Sequence, residues 1–288
     1  MYCEFLYKKF GKQNYSVGVD AACFLIINLT PDSFSDGSEL NTNAEYQLLQ
    51  IDKFVELGID AIDIGAESTR PNAIAPGTDE EYRRLESFLD LYKHPLDLSI
   101  DTRNPEIIKK VFQDQGKGKK IKYINDVSGM QNLEFLEACA ENCPEETKYI
   151  AMHSKGGIPP LAARELPDNF YDEDGGLELH LFKFFEQTLK LCEKFSIKEE
   201  QLIFDPGFGF GKNFNQSFEL IDLSPKLKKE FGRPIFVGTS RKSFLKLWQD
   251  KINELGFKQN PLRNRELDYL TLEFNNLLRD VDYFRMHG

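Results

Sequence analysis

The chain has five cysteines in 288 residues, an odd number with no Cys-x-x-Cys spacing. That excludes a zinc ribbon and a disulfide-stapled secreted domain, and reduced thiols in a cytosolic protein are the simplest account. Cations are outnumbered: 36 Lys and Arg stand against 47 Asp and Glu, a net charge of −11. So acidic a chain is a poor non-specific binder of nucleic acid, although it can hold a local basic pocket for an anion. No apolar run approaches the roughly 18 residues of a membrane span. The first ten residues, Met-Tyr-Cys-Glu-Phe-Leu-Tyr-Lys-Lys-Phe, carry charge too early for a secretory leader, so the expected compartment is the cytoplasm. Among only four histidines there is no His-Glu-x-x-His and no Ser-His-Asp order, and His94 and His180 read as structural or exposed.

What is present is an alternation. Short apolar runs stop abruptly at a polar residue: Cys23–Ile27 before Asn28, Ala61–Ile64 before Gly65 and Glu67, Leu96–Ile100 before Asp101, and Ile121–Ile124 before Asn125. The same event recurs at Tyr149–Met152 before His153, Leu202–Phe204 before Asp205, Ile235–Val237 before Ser240-Arg-Lys-Ser243, and Val281–Phe284 before Arg285-Met-His287. Such runs read as buried strands. Segments of helical period separate them, over 44–57, 79–92, 104–115, 133–142, 177–195 and 217–231, then from 244 and again over 265–279. Asn104-Pro105 reads as an N-cap followed by Pro in the first helical position. Eight alternations are the count of an α/β (β/α)8 TIM barrel, whose chemistry lies at the carboxyl ends of its strands. With no repeat or linker to divide it, the chain is expected to be one domain over 1–288, residues 1–22 forming an extension over the barrel. The long polar loops, Asn28 to about Thr42 and Ser154 to about Gly176, read as lids. The basic turn Gly116–Lys120 reads as a solvated feature of the far face.

The strand ends define the candidate chemistry. Asp101, Asn125 and Asp205 supply acceptors and one amide, a set able to read the edge of a flat polar heterocycle. Taken singly, Asp101 or Asn125 could equally cap the helix that follows. Asp205 is followed by Pro206 and Gly207, so it marks a sharp turn instead. Gly207-Phe-Gly-Phe-Gly211-Lys212 fails the spacing of a nucleotide-phosphate loop and reads as backbone approaching a ligand closely, with Phe208 or Phe210 beside it. Arg70, Arg241, Lys242, Arg285 and His287 form a positive side suited to an anion, most simply phosphate, unless they are spent on ion pairs with Glu67 and the aspartates. Asn28 offers a neutral oxygen suited to Mg²⁺.

Several segments carry a resemblance: Ile27-Asn-Leu-Thr-Pro-Asp-Ser-Phe-Ser-Asp-Gly37, Asp63-Ile-Gly-Ala-Glu-Ser-Thr-Arg-Pro71, Ser99-Ile-Asp-Thr102, Ile124-Asn-Asp126, Met152-His153, Asp205-Pro-Gly-Phe-Gly-Phe-Gly-Lys212, Ser240-Arg-Lys-Ser243 and Arg285-Met-His287. In this order the chain resembles the dihydropteroate synthase family, which joins 4-aminobenzoate to 6-hydroxymethyl-7,8-dihydropterin diphosphate and releases pyrophosphate. The resemblance implies that Asp101, Asn125, Asp205 and Lys242 hold the pterin. Arg285 would stack on the ring and reach the diphosphate, while Asn28, Arg70 and His287 would bind diphosphate and Mg²⁺. Thr69, Phe210 and Ser243 would border the aminobenzoate pocket, where sulfonamides sit in the family. It also implies a homodimer. Three departures stand out: Ser154 follows His153 where the family commonly has Met, the helix around Tyr269–Asn276 is bulkier than usual, and the family's closing helix has no counterpart after strand eight. A pterin-dependent methyltransferase on the same barrel, or a non-catalytic pterin-binding protein, are the alternatives.

Overall fold

The structure, a computed structural model, describes residues 21–30, 40–67, 76–114, 117–155, 166–247 and 266–287. Thr69, Arg70, the 1–20 part of the extension and much of both long loops lie outside the described residues. Eight parallel strands make one sheet in the order β6-β5-β4-β3-β2-β1-β8-β7. They are β1 Ala22–Asn28, β2 Ala61–Gly65, β3 Asp97–Asp101, β4 Ile121–Asp126, β5 Lys148–Met152, β6 Leu202–Asp205, β7 Phe236–Val237 and β8 Tyr283–His287. A parallel bridge between Phe204 and Ile235 joins the two edges, so the sheet closes into a (β/α)8 barrel. Helices α1 Leu40–Glu56, α2 Thr78–Leu91, α3 Pro105–Gln113, α4 Leu133–Asn142, α5 Leu177–Lys194, α6 Phe214–Phe231 and α7 Glu266–Asn275 alternate with the strands.

Local sequence explains the boundaries. Asn104 caps α3 by accepting from the Glu106 amide, with Pro105 in the first helical position. α6 starts at Phe214, earlier than the apolar period indicates, because Asn213 and Gln216 form a reciprocal capping box. α1 likewise starts at Leu40 rather than at 44. The larger correction is β8, which runs Tyr283–His287 instead of Val281–Phe284. Asp282 ends the preceding turn: its carboxylate accepts from the Ile235 amide at 2.8 Å and from Lys228 Nζ at 2.7 Å. Arg285 and His287 therefore lie within the strand, in a polar interior that an apolar-run reading does not anticipate.

That interior is layered. Phe24, Ala61, Ile150, Ile203 and Phe236, with Ala22, Tyr123 and Tyr283, form a cluster separate from the main core. Phe24 is its hub, with ring centroids 4.9 Å from Tyr123, 5.4 Å from Phe236 and 5.6 Å from Tyr283. Side chains alternate with a period of two along a strand. Two residues further on from Ala61, Tyr123, Ile203 and Tyr283 come Asp63, Asn125, Asp205 and Arg285. An aromatic floor thus underlies a polar throat. The main core fills the space between the outward strand faces and the helices, with Ile62, Ile64, Ile100 and Ile124 all fully buried. The basic segment over 117–120 precedes β4, on the face opposite the throat, as its composition suggests.

Candidate active site

Asp101, Asn125, Asp205 and Arg285 converge on the throat. Arg285 sends Nη2 to Asp101 Oδ2 at 2.6 Å and Nε to Asp63 Oδ2. Asp63 Oδ2 also accepts from Asn125 Nδ2 at 3.1 Å. Asp101 and Asn125 are therefore not helix caps; Asn104 and Asn132 do that work for α3 and α4. Burial pushes the Asp101 carboxyl up to about 7 against the opposing charge of Arg285. Burial alone would lower Arg285, but Asp63 and Asp101 outweigh it and hold the guanidinium above its usual range, firmly charged.

Asp205 closes the other side. Its Oδ1 accepts from the Gly207 amide at 2.8 Å, the turn its Pro-Gly sequel requires. Burial raises this carboxyl to about 6, with the Gly207 amide and Lys242 pulling the other way. The loop after it must be glycine. Gly207 and Gly211 have φ of +73° and +58°, and a Cβ there would lie 1.9 Å from His153 O and 2.1 Å from Lys155 O. The start of the β5 loop therefore rests directly on the β6 loop. Lys212 pins the two together from within, fully buried, donating to Gly207 O at 3.1 Å, Phe210 O at 3.0 Å and His153 O at 3.3 Å. His153 Nδ1 lies 2.8 Å from the same ammonium. Burial lowers Lys212 to about 7 and holds the His153 imidazole neutral, well below its usual range. His180, read as structural or exposed, is half-buried, its ring centroid 5.1 Å from that of His153 and its Nδ1 3.2 Å from Asp174 Oδ2.

The strand-seven side supplies the second cation. Lys242 Nζ lies 3.6 Å from the centroid of the Phe210 ring, and burial lowers its ammonium to about 7. Ser240 Oγ accepts from the His287 amide at 3.1 Å and lies 3.0 Å from its Nδ1. Burial, with Arg241 and Arg285 nearby, lowers His287 to about 3. Two members of the expected positive side are thereby corrected: His287 is a neutral imidazole, and the exposed Arg241 pairs with Asp268 at 2.8 Å. Ser243 is exposed at the start of a short helical turn over 243–247. The bulky α7 is accommodated: Phe274 packs edge-on against Phe208, Phe218 and Phe244, while Asn275 and Thr271 hold Thr239 and the Arg241 amide.

Asn28 ends β1 at the rim, half-buried, and among the described residues its carboxamide makes no hydrogen bond. Among the described residues no cluster of three or more His, Cys, Asp or Glu could hold a metal. Among the described residues this lone neutral oxygen fits a Mg²⁺ ion that would arrive largely coordinated by a substrate's phosphates. Asp63, His153 and Lys212 were given no role by the sequence reading. The signal for Asp63 was present, an acid in the middle of a strand otherwise buried on both faces.

The family described as pterin binding enzyme matches residues 24–287, so this chain belongs to the pterin binding enzymes. A relative from Synechocystis sp. is 34% identical over 238 residues, covering 82% of this chain and 74% of its own length. The Escherichia coli K12 relative is 32% identical over 222 residues, covering 76% and 73%. A Clostridium difficile crystal structure, determined in the presence of pteroic acid, superposes with a TM-score of 0.72 at 27% identity, covering 93% of this chain and 91% of that one. All three carry one name, dihydropteroate synthase, and it is with this branch of the family that the chain groups.

Proposed function

We propose that the chain condenses 6-hydroxymethyl-7,8-dihydropterin diphosphate with 4-aminobenzoate and releases pyrophosphate. The observation that carries this reading is the convergence of Asp101, Asn125 and Asp205 with Arg285 and Lys242 in a throat closed at its floor. Asp205, Asp101 and Asn125 read the donors and acceptors of the pterin edge, and Lys242 faces its acceptor side. Arg285 stacks on the ring and extends to the diphosphate. Asn28, Arg70 and the neutral His287 bind the diphosphate, and Thr69, Phe210 and Ser243 border the amine.

The pterin methylene becomes electrophilic as its bond to the diphosphate oxygen stretches. Negative charge grows on the leaving oxygen, and fixed cations are worth most there because water is excluded. Asn28 would be the protein ligand of a Mg²⁺ held mainly by the diphosphate, which would supply further positive charge at the same place. The electron-rich pterin shares the charge left on carbon, which the nearby carboxylates favour. The aromatic amine is uncharged at neutral pH, attacks the methylene carbon and then loses its proton, so positioning contributes more than a base would. We read the working compartment as the cytoplasm and a homodimer as the assembly. Among the described residues no helix is long and apolar enough to cross a membrane.

Pyrophosphate release, measured with both substrates and Mg²⁺, tests the reading. Normal binding of the pterin diphosphate with no release would end it and leave a pterin-binding protein.

A further inference from the structure

Arg285 is held by two carboxylates of different standing. Asp101 ends its strand at the throat, with a side chain 13% exposed, and is one of the groups read above as touching the pterin. Asp63 lies two residues below the end of β2, in register with Ser99, and its side chain is 0% exposed. A heterocycle entering from above reaches Asp101 and draws on its oxygens, in competition with Arg285. It does not reach Asp63. Asp63 also receives Asn125 Nδ2 on the same oxygen that receives Arg285 Nε. Its other oxygen, Oδ1, and the neighbouring Ser99 hydroxyl are both buried without a hydrogen-bond partner among the described residues. A buried carboxylate with one unused oxygen is retained at a cost that its contact with a cation must offset.

We infer that Asp63 is a positioning residue of the reaction, the fixed counter-charge that keeps Arg285 in place in the throat once the substrate has taken Asp101. It rests on the synthase reading only for the identity of that substrate. One carboxylate holds both a reader of the heterocycle, Asn125, and the cation assigned to the leaving group. The ring's seat and the arginine beside it are therefore set from a single point. Asp63 Oδ1 gives the guanidinium a second acceptor in the same buried carboxylate when Nη2 leaves Asp101.

The test is a cycle of three variants, Asp63→Asn, Arg285→Met and the pair, each examined as the full chain by thermal unfolding and steady-state kinetics. With Arg285 in place, D63N is expected to lower Tm and to reduce kcat at least tenfold, with KM for 4-aminobenzoate within twofold of the parent. With Met at 285, Asp63 is a buried acid without its cation, so adding D63N should raise Tm and change kcat by less than twofold. If D63N does not fold alone, recovery of soluble protein in the double variant supports the pairing. A double variant that also fails to fold, while R285M folds, overturns it. Equal losses of Tm and kcat on adding D63N in both backgrounds would likewise overturn it, showing an effect through the fold alone. The Tm arm needs no substrate. A chain that releases no pyrophosphate but shows the inverted Tm signs would sink the synthase reading and leave Asp63 as the partner of Arg285.

Discussion

Arg285 and Lys212 are both held inside this barrel, and they are accommodated in opposite ways. Arg285, on the β8 side, lies between the carboxylates of Asp63 and Asp101. Lys212, on the β5–β6 side, is wrapped in three backbone carbonyls and an imidazole. A planar guanidinium between acids keeps its charge at every working pH. An ammonium surrounded by neutral dipoles is left near its titration point, about 7. The first arrangement suits a group that must present charge to a ligand. The second suits a group that ties backbone together, for which donor geometry matters more than charge.

The sharpest way to break the comparison is to attack the Lys212 cage through its backbone. Gly207→Ala would drive a methyl group into His153 O from a left-handed backbone position. We expect a loss of at least about 3 kcal/mol and a Tm fall of roughly 10 °C, or no soluble protein. An unchanged Tm would mean that the two loops do not rest on one another. Next comes the ligand side. Asp205→Asn removes a charged acceptor worth roughly 1.5–3 kcal/mol, so bare pterin affinity measured by calorimetry should fall roughly 10- to 100-fold. Parent affinity should rise with pH from about 6 as Asp205 ionises, and in the variant the rise should begin later, near 7, where Asp101 ionises. His287→Ala should leave bare pterin binding intact and weaken pyrophosphate binding; equal losses in both variants would erase the division between ring and diphosphate sites.

Lys212→Met should then show the smaller, pH-dependent effect. The ammonium binds its proton less tightly folded than unfolded, so stability rises with pH between about 7 and about 10 and is lost as pH falls through 7. The variant leaves carbonyls unpaired at a cost of about 2 kcal/mol near pH 9, and the deficit should narrow toward pH 6. Urea midpoints across that range would expose a flat difference, which the cage does not allow. Smallest is Arg241→Ala. Its pair with Asp268, exposed on the arginine side, is worth about 1 kcal/mol at most, and pterin diphosphate affinity should move less than twofold, as fits a cation outside the throat.

Much of this was legible beforehand, for definite reasons. Runs such as Ala61–Ile64 and Leu202–Phe204 are short, apolar and bounded by turns, so the barrel follows from counting them. Asp101, Asn125 and Asp205 were found because barrel strands deliver their last residues to one ring. β8 was misplaced because its inward positions carry Arg285 and His287, and polarity inside a barrel defeats a hydrophobic pattern. Lys212 was passed over as the tail of an imperfect phosphate loop; its partners are carbonyls, which leave no mark on side-chain sequence. The charge state of His287 depends on burial, which comes from the closed fold and not from residue type.

The ring of Phe24, Tyr123, Phe236 and Tyr283 makes the throat a blind shaft. Whatever is deepest must enter first and depart last, through the opening at the strand tips. An amine seated early would stand in the heterocycle's way, so the two partners should join in a fixed sequence, and the finished molecule must back out along the path its larger half came in.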